Sequence, residues 1–419
     1  MSTIPENLMI RRAREYDLGE MARIHSSAYP GNQMTLEERL HSFRNNPRAS
    51  LENYWVCERS NQIVGMFVLY DFMMNRMGQV IPVGGIGSVA VSPEARRDRI
   101  AYYMMQRSVE IMEQNGTPLS ILYPFKHQFY HKLGWGLVVR LNLYHLAPEH
   151  LPKFKERTNV EVITTNEQRE EVMLTYNKFA KRSNGLLQRT DMFWNEFIYK
   201  NAHCYAYRDT DSGLIEGYLT YRYRPHPADI SFTMTDLEVW DFVYNSTRAF
   251  RGLISFLSAQ RDQVKTIFLP EQSGLSLEHI LSEPISPTGR RNWLLGAETA
   301  LLGSSLMGRV ISIRRTLKSI NNWGNANGLL NINVTDDLYP QNSELITISF
   351  EKGKADFVKG KTAKVQMNCS IATLSSLIWG GLNLSEGLLF GLIELEGKGD
   401  ASFLKDVFTI QRPVCMDYF

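Results

Sequence analysis

The chain has 419 residues, 43% hydrophobic and 21% charged, enough apolar material for two to four cores of ordinary size. A formal net charge of +2, without zinc-finger, recognition-helix or aromatic-basic patterns, argues against nucleic acid as a partner. No apolar run reaches the roughly 18 residues of a membrane span, residues 1–7 hold no signal core, and the scattered cysteines and histidines offer no disulfide frame or metal site, so a cytoplasmic, metal-free protein is expected.

In chain order, Leu8 to Arg11 read as a strand, and Leu18, Met21 and Ile24 as the apolar face of a helix. Strands follow over 54–58, 62–75 and 79–91, with Asn61, Gly78, Gly84 and Gly85 marking turns. The third of these runs through Ser88, Val89, Ala90 and Val91 to Pro93, which stops it. Arg96, Arg97 and Arg99 then surround a helix start, where unpaired N–H groups and the helix dipole favour an anion. The spacing is neither that of a dinucleotide fold nor of a P-loop, so a phosphate-rich ligand of another class is expected; a solvated surface turn is the plain alternative. Ile100, Met104, Ile111 and Met112 fall at helical spacing, and Asn115, Gly116 and Pro118 end that helix. A short buried strand over 119–123 leads into Phe125, Lys126, Phe129, Tyr130 and the triplet Gly134, Trp135, Gly136.

The turn Arg96-Arg97-Asp98-Arg99-Ile100-Ala101 resembles the pyrophosphate-binding motif of the GCN5-related acetyltransferases, Arg/Gln-x-x-Gly-x-Gly/Ala, with Arg99 where the family has glycine. The resemblance implies acetyl-CoA as co-substrate. It implies that backbone groups of Val89, Ala90 and Val91 pair with the pantetheine arm, and that amides of Arg97, Asp98, Arg99, Ile100, Ala101 and Tyr102 hold the pyrophosphate. Phe125 and Lys126 take further cofactor-lining positions.

Residues 151–295 repeat the element order more weakly: a strand over 160–164, helices over 169–180 and 192–200, strands over 202–208, 214–224 and 236–244, and a helix over 247–261. Only Asn245 and Ser246 separate the last two, so this unit is expected to keep the fold without binding cofactor. The third unit has strands over 307–313, 328–334, 345–351 and 363–369, and apolar helices over 371–379 and 384–395. It resembles a sterol-carrier fold, whose groove would suit a lipid; a stripe such as Ile371, Leu374 and Ile378 is more often plain core. The apolar tail over 403–419 reads as buried.

The whole order resembles the Eis family of acetyltransferases. The fold class is therefore α/β with mixed α+β character: tandem acetyltransferase folds over 1–150 and 151–295, then a sterol-carrier-like domain over 296–419. The family implies N-acetyl transfer to an aminoglycoside, another polyamine-like acceptor or lysine, with Tyr130 as general acid and the Phe419 carboxylate as general base, in a homo-oligomer such as a hexamer. Gly31 and Tyr418 stand where the family pattern is acidic; Glu37, Glu38, Asp71 and Asp417 are candidate substitutes. The rival reading is a lipid-binding or interaction protein that has kept the fold but little or no catalysis.

Overall fold

The computed structural model describes residues 7–200, 202–225, 234–289, 291–292, 296–324, 327–361 and 363–419. Its first sheet is built from β1 (Leu8–Arg12), β2 (Tyr54–Arg59), β3 (Gln62–Arg76), β4 (Gln79–Val91) and β5 (Leu119–Leu122), with α1 (Leu18–Ala28), α2 (Leu36–Arg44), α3 (Ile100–Gln114) and α4 (His127–Lys132). The long central strand β3 is almost continuously buried because both faces are covered. Met21, Ala22 and Ile24 of α1 lie in a core with Met66 and Val68; Met104, Val109 and Met112 of α3 lie in another with Phe67 and Leu69.

The chain then runs through β6 (Gly136–Leu137), β7 (Arg140–Leu146), β8 (Val160–Val162), α5 (Asn166–Arg182), β9 (Asn184–Leu187), a turn α6 (Asp191–Phe193), β10 (His203–Arg208), β11 (Ile215–Pro225), β12 (Thr235–Tyr244), α7 (Thr247–Ser258) and β13 (Val264–Glu271). After a small pair, β14 (Arg291–Asn292) with β15 (Gly296–Ala297), come β16 (Ala300–Ser304), β17 (Met307–Val310) and α8 (Ile313–Ser319). The first sheet has the order β1-β2-β3-β4-β5-β17-β6 with β9 on β3; the second has β16-β7-β13-β12-β11-β10-β8.

Each sheet takes its next-to-last strand from the other half. After β6 the chain crosses to the second sheet as β7, pairing antiparallel with β13, and after β16 it returns to the first as β17, pairing antiparallel with β5. Hydrogen bonding thus crosses the divisions at 150 and 295, and neither sheet is complete without chain from beyond them.

The third sheet, β20-β19-β18-β21-β22, comprises β18 (Gly328–Thr335), β19 (Ile346–Glu351), β20 (Lys354–Phe357), β21 (Val365–Ser370) and β22 (Ile393–Gly397), with α9 (Ile371–Trp379), α10 (Leu384–Leu389) and α11 (Phe403–Val407). Two expectations are corrected. The helix expected over 384–395 ends at Leu389, and Gly391, at φ 66°, turns the chain into β22. The strand expected over 307–313 stops at Val310, because Ser312 caps α8 by accepting from the Arg315 N–H. Every residue of α9 is buried, and Ile371, Leu374 and Ile378 are core. The helix rests on the first sheet: Ser375 Oγ accepts from the Val310 N–H at 2.9 Å, and a Cβ on Gly136 would sit 2.1 Å from the Ala372 carbonyl oxygen.

Candidate active site

Strands β4 and β5 run parallel from Val83 opposite Leu119 to Ile86 opposite Leu122, and there the pairing stops. Immediately beyond, Ser88 and Val89 face the single residue Phe67, a bulge with Ser88 at φ 50°. A bulge bends and twists its strand, so β4 leaves β5 and opens a cleft. The turn 92–99 closes one end, with Arg97 and Arg99 in left-handed conformations at φ 73° and 57°. Arg99 therefore keeps the backbone path that a glycine would take, at a strain of about 1 kcal/mol, with its guanidinium 4.5 Å over the Tyr102 ring. No side chain caps α3, so its first N–H groups remain available to an anion.

The resulting cavity measures about 690 Å³ and is lined by Val89, Val91, Arg96, Arg97, Arg99, Ile100, Ala101, Tyr102 and Phe125, with Ser27, Tyr29 and Phe129. Three residues of the expected set do not line the cavity with their side chains, although for Ala90 and Asp98 the expectation concerned backbone groups. Ala90 turns its side chain into the core opposite Met66, Asp98 pairs with Arg59 at 2.7 Å, and Lys126 borders a shallow depression with Gln128 and Lys132. Arginines at a helix start beside an unpartnered strand edge suit a ligand with a phosphate head and an amide-bearing arm.

Tyr130, on α4, is 3% exposed and ringed by Phe125, Phe129 and Trp135. Burial pushes its phenol well above the ordinary range, and Tyr29 adds to the shift. Tyr29 donates to the Val89 carbonyl at 3.0 Å and is itself pushed up to about 12 by burial, with Tyr418 and Tyr70 contributing. It thus stands between the cleft, Tyr130 and the end of the chain. The segment after Tyr130 is clamped from the third unit. Arg309 donates to the Leu133 carbonyl at 2.6 Å, pairs with Asp336 at 2.7 Å, and lies 5.1 Å over Trp135. A Cβ on Gly134 would meet Arg309 at 1.6 Å, and φ there is 92°, so both space and backbone require glycine.

The C-terminal residue reaches this region. Its ring packs on Tyr70, Phe72 and Tyr123 at centroid distances of 5.6, 4.9 and 5.3 Å. The preceding backbone is fastened where Val414 donates to the Asn184 carbonyl, Cys415 to Gln272 Oε1, and Tyr123 to the Asp417 carbonyl at 3.0 Å.

On the other side of this tail lies a second cavity of about 840 Å³. It forms as the first does. β12 and β13 run parallel to Glu238 opposite Phe268, then Trp240 bulges between the pairs Val239–Tyr221 and Asp241–Thr220, and the strands part. Glu238, Asp241 and Glu271 line it together with Phe242, Tyr244, Phe250, Arg182, Tyr123 and Tyr418. Arg182 is committed to the Tyr244 and Asn245 carbonyls. Asp241 is buried against Arg189 and Tyr218, and Glu271 accepts from the Ser273 and Gly274 N–H groups, so Glu238 among the aromatic rings is the carboxylate of the three placed to meet an ammonium group. None of the three was singled out from sequence, since each stands alone in an alternating strand; their common cleft is the only signal that joins them. The acidic residues that were singled out do other work. Glu38 closes the capping box of α2 with Thr35, Glu37 is exposed on that helix, Asp71 accepts from Asn53, and Asp417 is buried against arginine.

Among the described residues no cluster of histidine, cysteine, aspartate or glutamate could hold a metal ion, and no helix is long and apolar enough to cross a membrane. Comparison with family models matches residues 9–138 and 185–296 to two acetyltransferase (GNAT) domains, and residues 313–416 to a sterol carrier protein domain. No curated protein matches the sequence. Solved structures with the same fold include a GCN5-related N-acetyltransferase from Anabaena variabilis, at 19% identity and TM-score 0.81, covering 98% of this chain and 100% of that one. A probable N-acyltransferase from Enterococcus faecalis has the same identity and TM-score, covering 98% and 99%. Eis1 from Mycobacterium abscessus has 18% identity and TM-score 0.76, covering 98% and 100%.

Proposed function

We propose that this chain, which carries two GNAT domains followed by a sterol carrier domain, is an Eis-like acetyltransferase that acetylates an amine carrying further positive charge, such as an aminoglycoside, a polyamine or lysine. The observation that carries the reading is a tail whose last ring packs on Tyr70, Phe72 and Tyr123, with Tyr418 lining the second cleft and close to Tyr29, which lines the arginine-rimmed first one.

Acetyl-CoA supplies the activated acetyl group. In this reading Arg96, Arg97 and the first N–H groups of α3 hold its pyrophosphate, and the unpartnered edge of β4 at Val89 to Val91 aligns its arm. Glu238, in the wall of the second cleft, retains the acceptor through a charged amine, while another amine must lose its proton to attack. An ammonium near 10.4 and a terminal carboxylate near 3.5 differ by about seven units, a gap that desolvation of both groups on binding has to narrow. The Phe419 carboxylate receives the proton.

Tyr130 is the donor to the departing sulfur. Burial makes it a weaker acid than free tyrosine, and desolvation on binding would raise a thiol as well. A hydrogen bond from Tyr130 to the sulfur would become a transfer as charge develops there.

Extending the chain by a few residues after Phe419 is expected to lower turnover by about 10²–10⁴-fold while leaving acetyl-CoA binding by calorimetry unchanged. An extended chain with full turnover of a panel of aminoglycosides, polyamines and lysine peptides removes the terminal base. The family resemblance also supports assembly of identical chains into hexamers, which light scattering measures.

A further inference from the structure

A chain end ordinarily frays, yet a proton acceptor must be held to within about half an ångström. Among the described residues Phe419 itself is met through its ring, and the holding is done two residues earlier. Asp417 has no exposed side-chain surface, and Arg189, also fully buried, donates to its Oδ1 through Nε at 2.8 Å and approaches through Nη2 at 2.7 Å. The same guanidinium grips Asp241 in a fork, Nη1 at 2.5 Å and Nη2 at 2.9 Å, while Tyr218 donates to Asp241 at 2.9 Å. Arg48 lies 3.3 Å from Asp417 and 3.6 Å over the Phe193 ring. Burial opposes the charge on Arg189, but Asp241 and Asp417 outweigh it and keep the guanidinium ionised.

Three regions meet here: Arg189 just after β9, Asp241 on β12 in the wall of the acidic cleft, and Asp417 in the tail. Packed apolar side chains at such a junction are often as stable as a buried ion pair or more so. In addition, Oδ2 of Asp417 and Nε of Arg48 are buried without a hydrogen bond, which costs stability. What the charges provide is a fixed direction and length, because the planar fork of arginine accepts carboxylates in few geometries.

We propose that Arg189 and Asp417 are positioning residues: they hold the terminal carboxylate of Phe419 in place and tie it, through Asp241, to the cleft that receives the amine. The proposal rests on the reading of Phe419 as the base. Arg189 touches neither substrate nor reacting atoms in this scheme; it acts through the tail.

The test uses the full-length protein and two readouts, the rate at which carboxypeptidase A releases Phe419, followed by mass spectrometry well below the unfolding temperature, and steady-state turnover. Asp417→Asn keeps the size and removes the charge. It is expected to raise the release rate at least tenfold and to lower kcat at least tenfold, with KM for acetyl-CoA within twofold of the original. Asp417→Glu, which restores the charge, gives a release rate between the two.

Release and kcat at their original values in Asp417→Asn overturn the proposal. If that variant does not fold, Tyr123→Phe, which removes the hydrogen bond to the Asp417 carbonyl, decides by the same measurements, with a release rate raised at least threefold as the expected result and an unchanged one as the overturning result. Original protein from which Phe419 has been removed tests the base separately. Turnover surviving that removal refutes Phe419 as base, while the release rates still report whether Arg189 and Asp417 hold the tail.

Discussion

The two clefts are the same piece of architecture with different charged side chains, arginines on the first and Glu238 on the second. In each, a parallel pair ends, at Ile86–Leu122 or Glu238–Phe268, the inner strand bulges two residues later, and the strands diverge. The first continues into the turn 92–99 with its arginines and an uncapped helix. The second passes through residues 245–246 alone into α7, whose first turn is capped where Ala249 donates to Ser246 Oγ. Loss of the longer turn removes the arginines and the free amides together, and leaves Glu238 on the diverging strand. Splayed strands provide the space; what each cleft attracts depends on a few side chains and on whether the helix start is already satisfied.

The third unit holds both clefts, by Arg309 under the first and by the tail against Gln272 under the second. Breaking the first hold has the largest expected effect. Arg309→Met leaves Asp336 buried without its partner and is expected to cost about 3–5 kcal/mol, seen as a lower Tm. A change below 1 kcal/mol refutes the clamp.

Acidity separates the halves next. Arg39 donates to His25 Nδ1 at 2.7 Å, and an arginine can only donate, so that nitrogen is unprotonated. Burial, with Arg39 adding, lowers His25 to about 4 from 6.5. The unfolded chain therefore binds a proton between pH 6.5 and 4 that the folded one refuses. The stabilisation is complete above 6.5 and is lost on acidification, by up to about 3 kcal/mol. Urea unfolding at pH 7 and pH 5 should show a smaller difference for His25→Gln than for the original protein; equal differences refute the assignment.

The charge contrast itself is tested by crossing substitutions. Arg96→Gln with Arg97→Gln is expected to weaken acetyl-CoA binding about tenfold, and Glu238→Gln to raise KM for a cationic acceptor about tenfold. Each should leave the other ligand within twofold, as read by calorimetry and steady-state kinetics. Effects that cross over would mean that the clefts are not divided by charge.

The smallest expected effect is at Arg99. Arg99→Gly relieves left-handed strain but frees the unfolded chain, so stability should move by less than about 1 kcal/mol with acetyl-CoA affinity kept. A larger loss would show that the Arg99 side chain, rather than its backbone, matters to the cleft.

The sequence by itself determined what is local. Pro93 after a small β-prone run, arginines around a helix start, and Tyr130 ahead of Gly134-Trp135-Gly136 each carry their signal within about a dozen residues, where helix spacing and turn chemistry act. The element order of the second half and the buried tail were legible for the same reason. Only the tertiary structure decided that β7 and β17 change sheets, that Glu238, Asp241 and Glu271 share a cleft, and that Asp417 is an anchor rather than part of an acidic pocket. Strand pairing and ion pairing join residues by distance in space. Arg189 and Asp417, 228 residues apart, leave no periodicity in the chain by which either could announce the other.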